Sequence, residues 1–373
     1  MKMCLVNFGN VINSTGGAEK VLCDFANEMV RRGHNVVVVC SELKSGRPFF
    51  HLDNEVLFYN LGLNVNGTLF VRILRKIFTI INFDYKWYFN NKSVEKRLAD
   101  VLNSNNPDIV INFFPKDLPY IVRVKKNIPV IQMLHGSAKW FENNISITIK
   151  NYLKQVEVLQ VLLPSYAKEL SYMNVKKICC IPNVVTKREA RVTYSKKIVY
   201  LARYDVDKQI HLLVDAFAKC AEEFVDWEVH IYGTDWTRGY RDKVLKQIKE
   251  YKLNNQIFCH NRTNAPYEVL ADSSICAFPS KYEGFPLALT EAMSIGLPCI
   301  GFASCTGVNE IIEDEKNGFL VDDVEGFADK LRILMNNPEL CVKLGENGKC
   351  KMKLYEDKVV YDKWEMLLKT LYV

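Results

Sequence analysis

Two carboxylates, Glu283 and Glu291, stand with seven residues between them in the stretch PSKYEGFPLALTEAMSIGLPCI, residues 279–300. A Gly284-Phe285-Pro286 turn separates Glu283 from an apolar run through Leu287 that reads as a helix ended by Gly296 and Pro298. Pro286 suits the first turn of a helix, where its missing N–H costs nothing. The pattern predicts Glu283 in the loop before the helix and Glu291 one to two turns inside it. The free N–H groups of the helix start then lie between them and suit an anion. Hydroxyl-reading carboxylates on either side of an anion site fit a sugar nucleotide.

Other places carry matching chemistry. Arg203 and Lys208 flank a loop between a predicted strand and a predicted helix. A guanidinium and an ammonium there suit a diphosphate, Arg through forked hydrogen bonds and Lys as a point charge. Asp205-Val206-Asp207 in the same loop is formally a D-x-D, a spacing some metal-dependent transferases use. Short acidic pairs are common and Asp is a frequent helix cap, so no metal is expected. Gly16-Gly17, between the first strand and first helix, permits close approach of a phosphate to backbone, although ordinary turn chemistry explains a lone Gly-Gly equally well. It is not the dinucleotide fingerprint, because Gly9 lies seven residues before Gly16. His135 follows a predicted strand directly, at the end where parallel sheets bind ligands. The competing reading of an isolated histidine is a structural one.

The elements that must position these residues alternate short apolar runs with helical patterns, the signature of an α/β protein with parallel strands. In the N-terminal half, strands are expected over 3–8, 35–40, 56–61, 108–114, 130–134 and 158–163, with a helix over 18–32. A polar, basic passage from Ile181 through Ser195 reads as a linker. Beyond it, strands are expected over 197–202, 228–232, 257–259, 275–278 and 298–301, with helices over 210–224, 240–253 and 267–271.

The chain has 373 residues, enough for two ordinary domains. Its charge is uneven: 23 Lys/Arg against 14 Asp/Glu in residues 1–186, and 26 against 29 in the remainder. A basic half suits an anionic membrane surface, and Lys-rich solubilising faces explain it equally well. Within 68–103, Arg72, Arg75, Lys76 and Lys86 alternate with bulky apolar residues, as in a helix lying on an anionic bilayer or a core helix with a solvated basic face. The interleaved basic and aromatic motifs of RNA modules are missing, so no nucleic-acid partner is expected. Twelve scattered cysteines, several in apolar runs and none in C-x-x-C spacing, indicate buried thiols in a reducing compartment. The short apolar opening, interrupted by Asn7 and Asn10, reads as a buried strand and not a secretory signal. No apolar run reaches the roughly 18 residues a spanning helix needs. A cytoplasmic protein is expected, peripheral on the inner face of the cell membrane if the basic half docks there.

Taken in order, Gly16-Gly17 with Glu19, His135, Pro182-Asn183, Arg203 with Lys208, Gly233, and Glu283-Gly284-Phe285-Pro286-Leu287 through Glu291 resemble the retaining glycosyltransferases of family 4, group 1, of GT-B architecture. The passage 283–321, with Thr306-Gly307-Val308-Asn309-Glu310, is most similar to bacterial members that build surface polysaccharides, including galactosyl- and N-acetylhexosaminyltransferases. The resemblance implies two Rossmann-like domains facing across a cleft. These are an acceptor domain over 1–183, joined by a crossing helix over 355–373, and a nucleotide-sugar domain over 184–354. It implies that Arg203 and Lys208 bind the diphosphate, helped by N–H groups around Gly284, Phe285, Pro286 and Leu287 and by the glycine loops at Gly16, Gly17 and Gly233. By the same likeness Glu291 reads the ribose, Glu283 orients the transferred sugar, His135 contacts that sugar, and the base rests near Asn261-Arg262.

The implied reaction moves a hexosyl or N-acetylhexosaminyl group from a UDP-sugar, without cofactor, to a glycan or polyprenyl-diphosphate-linked acceptor in bacterial surface polysaccharide synthesis. Ala202-Arg203 stands where the family often has Gly-Arg, and Asp207-Lys208-Gln209 where Lys-Gly is usual. These departures loosen the phosphate-loop likeness and bear on donor preference. Two other readings compete: a sugar-nucleotide 2-epimerase of GT-B-like fold, which needs no acceptor, and a non-catalytic basic binding module.

Overall fold

The computed structural model describes residues 1–9, 11–14, 16–65, 92–186, 188, 190 and 192–371. Two compact units divide the chain, Met1–Ile181 with Glu365–Val373, and Pro182–Trp364.

The first unit is built on seven parallel strands: β1 (Lys2–Val6), β2 (Asn35–Cys40), β3 (Leu57–Asn60), β4 (Ile109–Asn112), β5 (Val130–Met133), β6 (Val158–Val161) and β7 (Ile178–Cys180). Their order is β3-β2-β1-β4-β5-β6-β7. Strands β4, β5 and β6 are buried throughout, since both faces of a parallel sheet are covered, and each is apolar but for one buried amide: Asn112, Gln132 and Gln160. The helix Gly17–Arg31 follows β1 and buries Leu22, Phe25 and Met29 at helical spacing. Between them, two buried carboxylates tie down the loop: Asp117 accepts from Phe8 N at 2.7 Å, and Glu42 accepts from Val11 N and Ile12 N at 2.6 and 2.8 Å. Arg72, Arg75, Lys76 and Lys86 lie outside the described residues; the last part of the 68–103 stretch enters the helix Lys92–Asn105. Among the described residues no helix is long and apolar enough to cross a membrane.

The second unit holds six parallel strands: β8 (Lys197–Leu201), β9 (Glu228–Tyr232), β10 (Ile257–His260), β11 (Ile275–Phe278), β12 (Cys299–Phe302) and β13 (Gly318–Val321). Their order is β10-β9-β8-β11-β12-β13. Successive strands run outward from β8 to one edge and from β11 to the other, so the order reverses between them. Loops leaving the carboxyl ends on either side of such a reversal diverge and open a crevice. β13 has no counterpart among the predicted strands, because four residues opened by a glycine carry too little pattern. The helix predicted over 210–224 ends earlier, at Ile210–Ala218, and hydrogen-bonded turns continue to Trp227.

The helix Leu287–Ser294 ends in a turn at Gly296, whose φ of +95° favours glycine. The helix Pro338–Met352 crosses that turn at Gly345, where an added Cβ would collide with the Gly296 carbonyl oxygen. Three residues on, a Cβ at Gly348 meets Met293 Cε at 3.4 Å, Met293 Cβ at 3.6 Å and the Asn317 carbonyl oxygen at 3.7 Å, all ordinary contacts. Gly345→Ala is therefore expected to destabilise by about 1–3 kcal/mol, while Gly348→Ala gains helix propensity and is expected to be neutral or stabilising by up to about 1 kcal/mol. Urea unfolding of the two variants checks the contrast, and equal effects would contradict this packing.

Candidate active site

Loops leaving β8 and β11 meet at the reversal of strand order. Lys208 closes a 3-10 turn, Val206–Lys208, and its Nζ donates to Glu283 Oε1 at 2.6 Å. The two side chains are only 16% and 11% exposed, so the pair is largely screened from water. Beneath it, the fully buried Tyr200 of β8 donates its phenolic proton to the Lys208 carbonyl at 3.0 Å and lies 2.8 Å from Ser280 Oγ. The tyrosine proton being committed, Ser280 donates to the phenolic oxygen. Burial, then the Glu283 charge, raise the Tyr200 phenol well above its ordinary range, so it stays a donor. Lys281 N adds a bond to the Asp207 carbonyl at 2.8 Å. One hydroxyl and one amide thus fasten together the two loops that carry the ion pair.

Arg203 is exposed, its guanidinium 4.1 Å from the Trp236 ring centre and 3.7 Å from Asp205. Asp205 is buried, accepts from Thr237 Oγ1 at 3.1 Å and caps the 3-10 turn, so its role in the D-x-D is structural. Among the described residues no three His, Cys, Asp or Glu side chains are placed to hold a metal. Gly233 follows β9, and an added Cβ there would collide with the Ala202 carbonyl oxygen. The structure therefore gives Gly233 a packing reason: it lets β9 lie against the backbone that leads into Arg203.

Gly284 lies in the bend after Glu283, and Phe285 turns inward, edge-on to Tyr355 at 5.3 Å. Pro286 stands at the cap position, one residue before the first helical residue, Leu287, and not inside the first turn as its sequence context suggests. Its carbonyl accepts from Thr290 N at 2.9 Å. Glu291 falls in the second turn, close enough to Tyr267 that its charge adds to burial in raising that phenol's pKa. Arg262 is exposed in the loop after β10. Beside it, Asn261 Oδ1 accepts from Arg241 at 2.8 Å.

Gly16, Gly17 and His135 belong to the other unit. Gly16 caps the first helix and Gly17 begins it; Glu19 folds back against Gly16, so the chain's own carboxylate sits at this helix start. The His135 ring stacks on Phe113 at 5.3 Å, and both ring nitrogens are buried with no hydrogen-bond partner among the described residues. Buried polar atoms are nearly always satisfied, so this imidazole is an exception that invites a functional reading.

A family model described as Glycosyltransferase Family 4 matches residues 15–187, and one described as Glycosyl transferases group 1 matches 185–351. The chain belongs to the family 4, group 1 glycosyltransferases. An uncharacterized glycosyltransferase of Haemophilus influenzae is 24% identical over 368 residues, 96% of this chain and 97% of its own. The poly(ribitol-phosphate) alpha-N-acetylglucosaminyltransferase of Staphylococcus aureus is 29% identical over 339 residues, 84% of this chain and 67% of its own. Anabaena HepE, solved in complex with UDP-glucose, has a TM-score of 0.76 at 15% identity, covering 99% of this chain and 100% of its own. The two parallel α/β sheets and this likeness give the glycosyltransferase the GT-B fold.

Four residues that pack against the candidate site residues of this glycosyltransferase escaped the sequence reading: Tyr200, Ser280, Trp236 and Arg241. Tyr200 reads as one more apolar strand residue, and only its hydroxyl in a core position hints at a fixed partner. Trp236 lies three residues past the glycine after β9, and a Trp in that polar loop was the available signal; the structure leaves it exposed.

Burial pulls the His135 pKa down from 6.5 to about 4. Between those values the unfolded chain binds more protons than the folded one, so stability falls as pH drops through that window, by up to about 1.4 kcal/mol per pH unit, and is intact above it. His135→Phe keeps a ring against Phe113 and is expected to flatten that acid limb. Urea unfolding between pH 7 and pH 4.5 measures it; identical pH slopes in the two proteins would contradict a neutral, buried imidazole.

Proposed function

We propose that this glycosyltransferase moves a hexosyl or N-acetylhexosaminyl group from a UDP-sugar, with retention at the anomeric carbon, to a lipid-linked or glycan acceptor in bacterial surface polysaccharide synthesis. The observation that carries the reading is the shielded Lys208–Glu283 pair, set between β8 and β11 and followed by a helix that bears Glu291. The UDP-glucose bound by HepE and the activity named for the S. aureus relative support the choice of donor.

In this proposal the bond from the anomeric carbon to the diphosphate oxygen breaks, and its electron pair leaves with the diphosphate. Fixed positive groups lower that barrier by stabilising the charge as it develops. Lys208 has three N–H groups; Glu283 takes one, and two remain for phosphate oxygens. Arg203, backed by Trp236, offers a second contact. Glu283 orients the transferred sugar, and Glu291 reads the ribose. The acceptor hydroxyl adds to the face that the diphosphate leaves, and its proton passes to a departing phosphate oxygen.

Lys208→Ala is expected to lower turnover about 10²–10³-fold, equivalent to about 2.7–4 kcal/mol, and Arg203→Ala to lower it less, because Arg203 is exposed. Donor consumption and UDP release with a polyprenyl-diphosphate-linked glycan acceptor measure both. Near-normal turnover in Lys208→Ala would refute the phosphate role. A donor isomer formed without acceptor would identify an epimerase instead.

A further inference from the structure

Arg241 belongs to the helix Tyr240–Glu250 and is held on several sides. Its guanidinium lies 4.7 Å from the Tyr204 ring centre, donates to the Cys259 carbonyl at 3.0 Å, and donates to Asn261 Oδ1 at 2.8 Å. A guanidinium only donates, so Asn261 must keep its oxygen toward Arg241. The amide cannot turn over without setting donors against donors. Its Nδ2 group is therefore presented outward from an exposed residue, and donates to no described residue.

Asn261 directly follows the carboxyl end of β10, two strands from β8. Two strand spacings are about 10 Å, the span of a ribose and its base beyond phosphates held at Arg203 and Lys208. The helix Pro266–Ala271, which leaves the Asn261 loop, neighbours the helix Leu287–Ser294 that carries Glu291. A ribose on Glu291 thus has its base on the Asn261 side.

We propose that Asn261 determines base specificity: its amide, locked oxygen-inward by Arg241, donates to the 4-oxo group of uracil and rejects the 4-amino group of cytosine. Uracil presents an acceptor at that position and cytosine a donor, on rings of the same size. The inference rests on the proposed roles of Arg203 and Lys208 at the diphosphate and of Glu291 at the ribose.

Calorimetric titration of the full chain with UDP and with CDP tests it. UDP is expected to bind about tenfold or more tighter than CDP. Asn261→Asp, which presents only acceptors while still pairing with Arg241, is expected to bring the ratio to one or invert it. Arg241→Met, which lets the amide turn over and adds no charge, is expected to bring the ratio toward one; melting temperatures report whether both variants stay folded. Equal affinities in the unaltered protein, or a UDP preference that survives Asn261→Asp, would overturn the inference. Lys208→Ala separates the two readings: it should weaken UDP and CDP by the same factor and leave their ratio alone. If it weakens neither, the diphosphate reading fails.

Discussion

The ion pair between Lys208 and Glu283 is the interaction on which the second unit's crevice depends. Two charges with little solvent contact are costly unless they face each other, and removing one leaves the other stranded. That constraint forces the β8 and β11 loops to stay in register, although 75 residues separate them in sequence. The fold adds a second fastening underneath, where Tyr200 joins the Lys208 carbonyl to Ser280. Conformational entropy that two free loops would retain is given up during folding, and the proposed phosphate-binding ammonium needs no rearrangement when charge develops on a leaving group. Preorganised charge of this kind is the usual source of large barrier reductions in group transfer.

The first unit solves a related problem with carboxylates. Glu42 and Asp117 satisfy backbone N–H groups of the loop after β1, and Glu19 closes over the start of the first helix. The Gly16-Gly17 turn is thus already supplied with negative charge, and a phosphate would have to displace Glu19 to reach it. In the second unit the positive groups Lys208 and Arg203 stand beside Glu283 and Asp205, so charge there is balanced locally, with donor groups left over. This asymmetry favours the second unit as the anion-binding one.

Much of the architecture was legible in the sequence, for identifiable reasons. Strands such as β2, Asn-Val-Val-Val-Val-Cys, are unmistakable because both faces are buried. Gly284, Pro286 and Gly296 punctuate the Glu283–Glu291 stretch, so the loop and helix placement of the two glutamates follows from local chemistry. What stayed hidden is non-local. Nothing near Lys208 in sequence indicates Glu283 as its partner, and nothing near Tyr200 indicates that its hydroxyl reaches a backbone carbonyl eight residues on. The packing of Gly233 stayed hidden for the same reason: its lack of a side chain answers to the carbonyl of Ala202, just past the neighbouring strand, a contact that only the sheet creates.

If Tyr200 positions Lys208 for the leaving diphosphate, the two residues are coupled in turnover, and four proteins measure that coupling: the unaltered chain, Tyr200→Phe, Lys208→Ala and the double variant. Coupled residues give non-additive losses in such a cycle. Tyr200→Phe is expected to cost about tenfold in turnover with little change in donor KM, consistent with one lost hydrogen bond, and almost nothing further once Lys208 is gone. Losses that multiply independently, or a folded Tyr200→Phe protein with unchanged turnover, would contradict it.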